Sequence, residues 1–241
     1  MSTAKFYGIG VGVGDPEMLT LKAIRAFKEL DVVVLPEAKK AEGSTAYEIA
    51  KEYLKEGAET LFVEFPMLKS VEARKEFRKR NADMIVEHLK EGKKVGFLTI
   101  GDPMTYSTYV YILEYLDGMI PVETIPGISS FSDMSSRFNL PLVMGEESLK
   151  VVSLNGETDI INEIDSADNI VFMKVSRNFD KLRAGLEATG NLNNIIMVSN
   201  CGKETQEINF DLTKMEEEDI PYFTTLILKK GGINQWKKFI S

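Results

Sequence analysis

The sequence is poor in residues that form covalent or metal cross-links. Its 241 residues include one cysteine, Cys201, and one histidine, His88. A single cysteine excludes a disulfide within the chain and is typical of a reducing compartment. One residue of each kind also excludes a zinc site built from several Cys and His ligands. We therefore expect no resident metal ion.

Long apolar runs and an excess of positive charge are also missing. No segment approaches the roughly 20 apolar residues that a membrane-spanning helix needs. The strand-like run directly after Lys5 argues against a signal peptide. Acidic residues outnumber basic ones by 37 to 29, a net charge of −8, whereas a nucleic-acid-binding protein needs a basic face. These absences predict a cytoplasmic protein that binds neither membranes nor nucleic acids.

The hydrophobic content, 44% of the residues, is sufficient for one large or two small cores. Up to about residue 125, short apolar runs alternate with helical patterns, which predicts a parallel sheet of five strands. After Gly127 the strand patterns follow one another with few helices between them, which favours a mixed sheet. We predict two α/β domains, residues 1–127 with glycine-rich loops and residues 128–241.

Three predicted strand ends in the first domain carry glycine and proline. A glycine-rich loop at residues 8–16 follows the first strand, Gly101-Asp102-Pro103 follows a buried strand, and Pro126-Gly127 follows the last strand. Ligands of open parallel sheets bind at the carboxyl ends of the strands. The three loops therefore predict one shared crevice, with Asp102, Ser129 and Ser130 as its polar residues.

The first loop does not complete a phosphate-binding motif. Gly8 and Gly10 fit the first two positions of G-x-G-x-x-G, but Val13 occupies the third, and Asp15-Pro16 delays the following helix. No P-loop Gly-Lys-Ser/Thr follows either. A main chain that a ligand can approach closely, without an anion cradle, favours a nucleoside-like ligand that lacks phosphates.

The same residues also have plainer interpretations. Asp102 before proline is typical of a helix cap, and Ser129 and Ser130 fit that role as well. The spacing predicts a helix with Tyr106 and Tyr109 on one face, so Tyr106 is either a packing residue or a substrate contact. With one histidine, no nucleophile-histidine arrangement can be assembled, and Cys201 beside Gly202 is typical of a loop without a catalytic role.

Three stretches resemble the tetrapyrrole (corrin/porphyrin) methylase family. They are GVGVGDPEMLTLKA (residues 10–23), GDPMTYSTY (101–109) and IPGISS (125–130), and the resemblance extends over essentially the whole chain. The sequence departs at Val13, where the family's loop has proline. Within the family, residues 106–109 and 221–226 most resemble the precorrin-2 / cobalt-factor II carbon-20 methyltransferases of cobalamin biosynthesis.

The resemblance implies a C-methyltransferase that uses S-adenosylmethionine and releases S-adenosylhomocysteine. It implies a homodimer of two-domain α/β chains with an active-site cleft between the domains and a tetrapyrrole as substrate. Asp102 and Tyr106 are the catalytic candidates, and Gly12, Tyr106 and Arg137 are expected substrate contacts. The family's cofactor contacts fall on Gly101, Asp102, Thr105, Ser129, Ser130, Phe172, Met173, Thr225 and Leu226.

Three alternatives remain open at this point. Another branch of the family, acting on uroporphyrinogen III or a later corrin precursor, shares the three stretches. A diphthine synthase-like methyltransferase, which modifies a protein side chain, shares the fold. A non-catalytic nucleotide-binding module would bind the cofactor without transferring a methyl group. The sequence pattern around Met173 indicates a core residue of a strand. Its assignment as a cofactor contact therefore rests on the family resemblance alone.

Overall fold

The computed structural model describes residues 4–37, 44–66, 68, 70–116, 118 and 120–240. Contacts within the chain divide it into two compact units, Met1–Ser129 and Ser130–Ser241. The boundary expected from the sequence lies two residues earlier, after residue 127. Among the described helices, none has both the length and the apolar composition needed to cross a membrane.

Strands and helices alternate through the N-terminal unit. The strands are β1 (Lys5–Gly10), β2 (Val32–Glu37), β3 (Glu59–Glu64), β4 (Lys94–Thr99) and β5 (Val122–Ile125), and the helices are α1 (Leu21–Phe27), α2 (Thr45–Ala50), α3 (Val71–Lys90) and α4 (Tyr109–Leu113).

The C-terminal unit begins with α5 (Ser130–Arg137). Its further helices are α6 (Ile160–Asp165) and α7 (Phe179–Ala188), and its strands are β6 (Leu149–Ser153), β7 (Asn169–Met173), β8 (Ile195–Ser199), β9 (Glu207–Asn209) and β10 (Thr224–Lys229). Short 3-10 helices along the whole chain cover Pro16–Met18, Lys51–Tyr53, Val175–Arg177, Leu192–Asn194, Glu217–Asp219 and Lys237–Phe239.

The described strands of the N-terminal unit form a parallel sheet in the order β3-β2-β4-β1-β5. Side chains alternate between its faces, so that Phe6 packs with α3 and α4 while Ile9 packs with α1 and α2. Because both faces are covered, Val32, Val33 and Val34 are fully buried. The parallel five-stranded sheet expected from the sequence is confirmed.

Helix α4 begins three residues later than its apolar pattern predicts. Tyr106 has φ 53° and lies outside the helix, whereas Tyr109 is fully buried. The Tyr109 ring occupies the space above Gly8, where a Cβ would collide with it, and its hydroxyl lies 2.8 Å from Thr124 Oγ1. Burial raises the pKa of the Tyr109 phenol, which therefore stays neutral. The prediction that Tyr106 shares the helix face of Tyr109 is wrong.

The described strands of the C-terminal unit form a mixed sheet in the order β6-β7-β10-β8-β9, in which only the β6–β7 pair is parallel. All six residues of β10 are buried. Leu226 and Leu228 pack with α6 and α7, and Ile227 packs with α5. The mixed sheet is confirmed. Helix α6 is not evident from the sequence because it is six residues long; Asp159 caps it, its Oδ1 accepting from Asn162 N at 3.2 Å.

Ion pairs cluster near the amino ends of β1 and β5 in the N-terminal unit. Glu123 pairs with Lys22 at 2.6 Å and also with Lys5, and its side chain is 26% exposed. Hydrogen bonds from Lys22 and then Lys5 lower the pKa of Glu123 from 4.5 to about 2. Folding therefore gains stability from the ionised form of this carboxyl group.

We expect Glu123→Gln to lower the free energy of unfolding by about 1 kcal/mol at pH 7, because solvent screens this partly exposed pair. The carboxylate contributes above its unfolded pKa, and that contribution is lost as the pH falls towards about 2. Urea unfolding at a series of pH values should therefore show the wild type and the variant converging below pH 5.

Glu48→Gln is the matched control, because its pair with Lys51 is well exposed and its loss should change stability by no more than about 0.5 kcal/mol. A difference between Glu123→Gln and wild type that stays constant down to pH 3 would contradict the expected titration.

Candidate active site

Two loops of the N-terminal unit are joined directly through their main chains. They follow β1 and β4, which are neighbours in the sheet. Val11 N donates to Thr99 O at 2.9 Å, and Gly101 N donates to Gly12 O at 2.7 Å. Gly12 and Gly101 form an isolated antiparallel bridge beyond the parallel strands. The loops therefore continue the hydrogen bonding of the sheet past the strand ends.

A third loop, which follows β5, packs against these two without intervening side chains. A Cβ on Gly10 would lie 2.5 Å from Gly127 N and 2.6 Å from Gly101 O, and a Cβ on Gly127 would collide with Gly101 O. Real Cβ atoms do not approach other atoms so closely, so both positions require glycine. Gly101 itself adopts φ 73°, a conformation that favours glycine.

The Asp102 carboxylate links the second loop to the third. Its Oδ1 accepts from Met104 N at 2.9 Å and from Thr105 Oγ1 at 3.3 Å, and its Oδ2 accepts from Gly127 N at 3.2 Å. The capping interpretation thus describes Oδ1, while Oδ2 makes a bond between loops that sequence spacing alone does not indicate. The structure brings Asp102, Thr105 and Gly127 together.

Exposed apolar side chains are carried by the same loops. Met104 is 59% exposed, Tyr106 is 45% exposed, and Ile128 follows Gly127 on the third loop. Ser129 Cα lies 3.9 Å from the position that a Cβ on Gly101 would occupy, and the corresponding position on Gly12 has no atom nearer than Met18 Cβ at 3.7 Å. Gly12 and Gly101 are themselves buried, so the exposed surface of these loops comes from Met104, Tyr106 and Ile128.

In the C-terminal unit, the expected cofactor residues lie on paired strands. Met173 pairs with Thr225 and Phe172 with Leu226, and Ser130 Oγ lies 3.4 Å from Thr225 Oγ1. Because side chains alternate along a strand, Met173 faces α5 whereas Phe172 and Leu226 belong to the opposite core cluster, fully buried. We expect any ligand contact at Phe172 and Leu226 to use their main chain.

Arg137, the third expected substrate contact, lies at the end of α5. Its Nε donates to Asp133 Oδ2 at 2.7 Å. Sequence reasoning missed Asp133, although its position four residues before Arg137 in a predicted helix is a readable signal for an ion pair. Cys201 lies beside Asp133 with Sγ 3.7 Å from Oδ2.

The family assignment rests on a match over most of the chain. The family model described as "Tetrapyrrole (Corrin/Porphyrin) Methylases" matches residues 5–215. The chain belongs to the tetrapyrrole methylase family. The family resemblance of the three glycine-containing stretches is therefore confirmed, and so is the expected enzyme class, a methyltransferase.

Relatives in this family are similar over nearly their full length. The chain is 30% identical to cobalt-precorrin-2 C(20)-methyltransferase of Salmonella typhimurium, with 97% of this chain and 98% of the relative covered. It is 30% identical to precorrin-2 C(20)-methyltransferase of Sinorhizobium, covering 98% of each. Identity to a probable cobalt-precorrin-2 C(20)-methyltransferase of Methanocaldococcus jannaschii is 38% over 74% of this chain and 75% of the relative.

Solved structures of family members share the fold. A cobalt precorrin-4 methyltransferase superposes with a TM-score of 0.73 at 17% identity, covering 95% of both chains. The uroporphyrin-III C-methyltransferase of Thermus thermophilus, solved with S-adenosyl homocysteine, superposes with a TM-score of 0.69 at 22% identity, covering 94% of this chain and 92% of that one. The expected α/β architecture is confirmed.

We expect Gly127→Ala to lower the free energy of unfolding by about 1–3 kcal/mol, because the new methyl group would push apart three main-chain segments that have no side chain to yield. Chemical denaturation measures this loss. Gly156→Ala is the control, since a Cβ there meets no atom within 4 Å. Equal stability of the two variants would contradict the proposed close packing of the loops.

Proposed function

We propose that this chain transfers a methyl group from S-adenosylmethionine to carbon 20 of precorrin-2 or cobalt-factor II in cobalamin biosynthesis. The observation that carries the proposal is the similarity over nearly the whole chain to relatives whose names specify this position. The glycine loops alone support the family but not the branch, because the family's other members share them.

The residues of the N-terminal loops fit S-adenosylmethionine as cofactor. Gly12 and Gly101 are buried glycines in loops that do not complete a phosphate-binding motif, and a nucleoside that carries a sulfonium group and no phosphate does not need one. The partly exposed carboxylate of Asp102 provides negative charge for a cationic ligand. When bound, the cofactor supplies a methyl group that its sulfonium already activates.

The chain then needs to position its ligands rather than to provide a nucleophile. Correct alignment of two bound reactants can lower a barrier by up to roughly 7–11 kcal/mol. Asp102 ties the second and third loops together and so fixes the main chain on which we propose the cofactor rests. Met104 and Tyr106 offer apolar surface that excludes water and suits a flat macrocycle.

We propose individual contacts in each unit. In the N-terminal unit we propose Gly101, Asp102, Thr105 and Ser129 for the cofactor, and Gly12 and Tyr106 for the substrate. In the C-terminal unit we propose Arg137 for a substrate carboxylate. The cofactor contacts predicted there are Ser130, Phe172, Met173, Thr225 and Leu226.

We also propose, from the family resemblance, that the protein is a cytoplasmic homodimer. Light scattering of the purified chain should then give about twice its mass of 27.0 kDa. A particle of 27.0 kDa at micromolar concentration would refute the dimer, and cell fractionation tests the location.

The deciding experiment incubates the purified chain with S-adenosylmethionine and, in separate reactions, precorrin-2, cobalt-factor II and uroporphyrinogen III. We expect one added methyl group by mass spectrometry on one of the first two, and nuclear magnetic resonance should locate it at carbon 20. Methylation of uroporphyrinogen III, or of another ring position, would assign the chain to a different branch. Cofactor binding with no transfer to any tetrapyrrole would favour a non-catalytic module.

We expect Asp102→Asn to weaken S-adenosylmethionine binding about tenfold, equivalent to about 1.4 kcal/mol. An amide has one acceptor oxygen, so one of the donors from Met104 and Gly127 loses its partner in either orientation of the side chain. Isothermal titration calorimetry measures the affinity.

Asp211→Asn is the matched control for this variant. Asp211 Oδ1 accepts from Thr213 N at 2.9 Å and from Thr213 Oγ1 at 2.7 Å, a local cap like that of Asp102 whose two bonds stay within one turn. We expect its cofactor affinity to equal that of the wild type. If Asp102→Asn also bound normally, the proposed role of the loop link would be wrong.

A further inference from the structure

Helix α5 carries a buried acid one turn before an accessible arginine. Asp133 Oδ2 accepts from Arg137 Nε at 2.7 Å. The Asp133 side chain is 0% exposed, while that of Arg137 is 31% exposed. The pair thus has one member inside the unit and one member that reaches solvent.

This pair is poorly built for stability. Asp133 Oδ1 is buried and has no hydrogen-bond partner among the described residues. Removing a carboxylate from water is unfavourable unless its oxygens are satisfied. The neighbouring Cys201 supplies no positive charge, since a cysteine side chain is either neutral or negative; burial, and then the charge of Asp133, raises its pKa to about 12 and keeps the thiol neutral. An apolar side chain would fill this position at less cost, so the carboxylate calls for another explanation.

The turn at Gly202 confines the guanidinium group of Arg137 from a second side, distinct from that of Asp133. Gly202 has φ 78°, and a Cβ there would lie 2.8 Å from Arg137 Nη2 and 3.1 Å from Cζ. The guanidinium group therefore lies directly against the main chain that follows β8. Asp133 and the Gly202 turn together restrict the orientation of its plane.

The restricted arginine lies at the edge of the sheet where the proposed contacts of this unit are found. Ser199, the last residue of β8, pairs with Thr224, and Thr225 lies beside Ser130 at the start of α5. Helix α5 therefore runs from the neighbourhood of Thr225 to the turn that follows β8. Arg137 stands at the far end of the same edge.

We propose that Asp133 is a positioning residue that orients Arg137 to bind a carboxylate of a polycarboxylate macrocycle. The inference rests on the proposed function, since it takes the tetrapyrrole as the ligand. Asp133 engages Nε, and the guanidinium group carries further N–H donors on its two terminal nitrogens that match a carboxylate in geometry. Orientation matters because this recognition depends on a planar fork, which lysine does not provide.

The test measures binding of uroporphyrin, a fluorescent polycarboxylate porphyrin, to the full chain by fluorescence titration. We expect Arg137→Ala to weaken binding about tenfold and Asp133→Asn about fivefold, with S-adenosylmethionine affinity unchanged in both. If Asp133 acts through Arg137, the double variant should bind like Arg137→Ala alone. Wild-type affinity in Asp133→Asn, or additive losses in the double variant, would overturn the proposal.

Two further variants keep the result interpretable. Asp83→Asn removes another i,i+4 ion pair, that of Lys79 with Asp83 at 2.6 Å on exposed α3, and should bind as the wild type does. Arg137→Lys retains Asp133 and the positive charge, so it still tests the proposal if Asp133→Asn fails to fold. We expect it to bind about fivefold more weakly, and wild-type affinity would show that charge without orientation suffices.

The two proposals fail in different ways. Normal porphyrin binding with the expected variant pattern, but no methyl transfer to any tetrapyrrole, would refute the proposed function and retain the role of Asp133. Methyl transfer to carbon 20 with unchanged porphyrin affinity in every variant would support the function and refute the positioning role.

Discussion

The direct contact of main chains at Gly10, Gly101 and Gly127 is the constraint on which the N-terminal site depends. The loops that follow three neighbouring strands meet there with no space for a Cβ on Gly10 or Gly127. Because nothing separates the loops, a single carboxylate, Asp102, reaches from its own turn to the next loop. The glycines therefore shape the proposed site by bringing polar main-chain atoms of three loops together.

In the C-terminal unit, the alternation of side chains along paired strands separates packing from the proposed binding face. Phe172 and Leu226 lie in one core cluster, while their neighbours Met173 and Thr225 face the side of α5. Adjacent residues of one strand thus contribute to different faces of the sheet, because successive side chains of a strand point to opposite sides. The same helix that covers this face carries the buried Asp133 and its arginine.

Much of the fold was predictable, because strong local patterns agree with the tertiary structure. The dense apolar run at Val32 reads as a strand covered on both faces, and the switch from alternating helices and strands to successive strands after Gly127 predicts the mixed sheet. Tyr106 was mispredicted because its spacing fits a helix, whereas the turn after Pro103 continues through it at φ 53°. Periodicity does not indicate where a turn ends and a helix begins.

The amino-acid sequence by itself determined the α/β class, the parallel and mixed sheets, the family and the list of candidate residues, since these follow from local patterns and recognisable motifs. The tertiary structure alone decided that Asp102 bonds to Gly127, that Phe172 is fully buried while Met173 is partly buried on the opposite face, and that Asp133 bonds Arg137 beside the Gly202 turn. These facts depend on distances between segments far apart in the chain and on the face each side chain takes. Only folding brings such segments together.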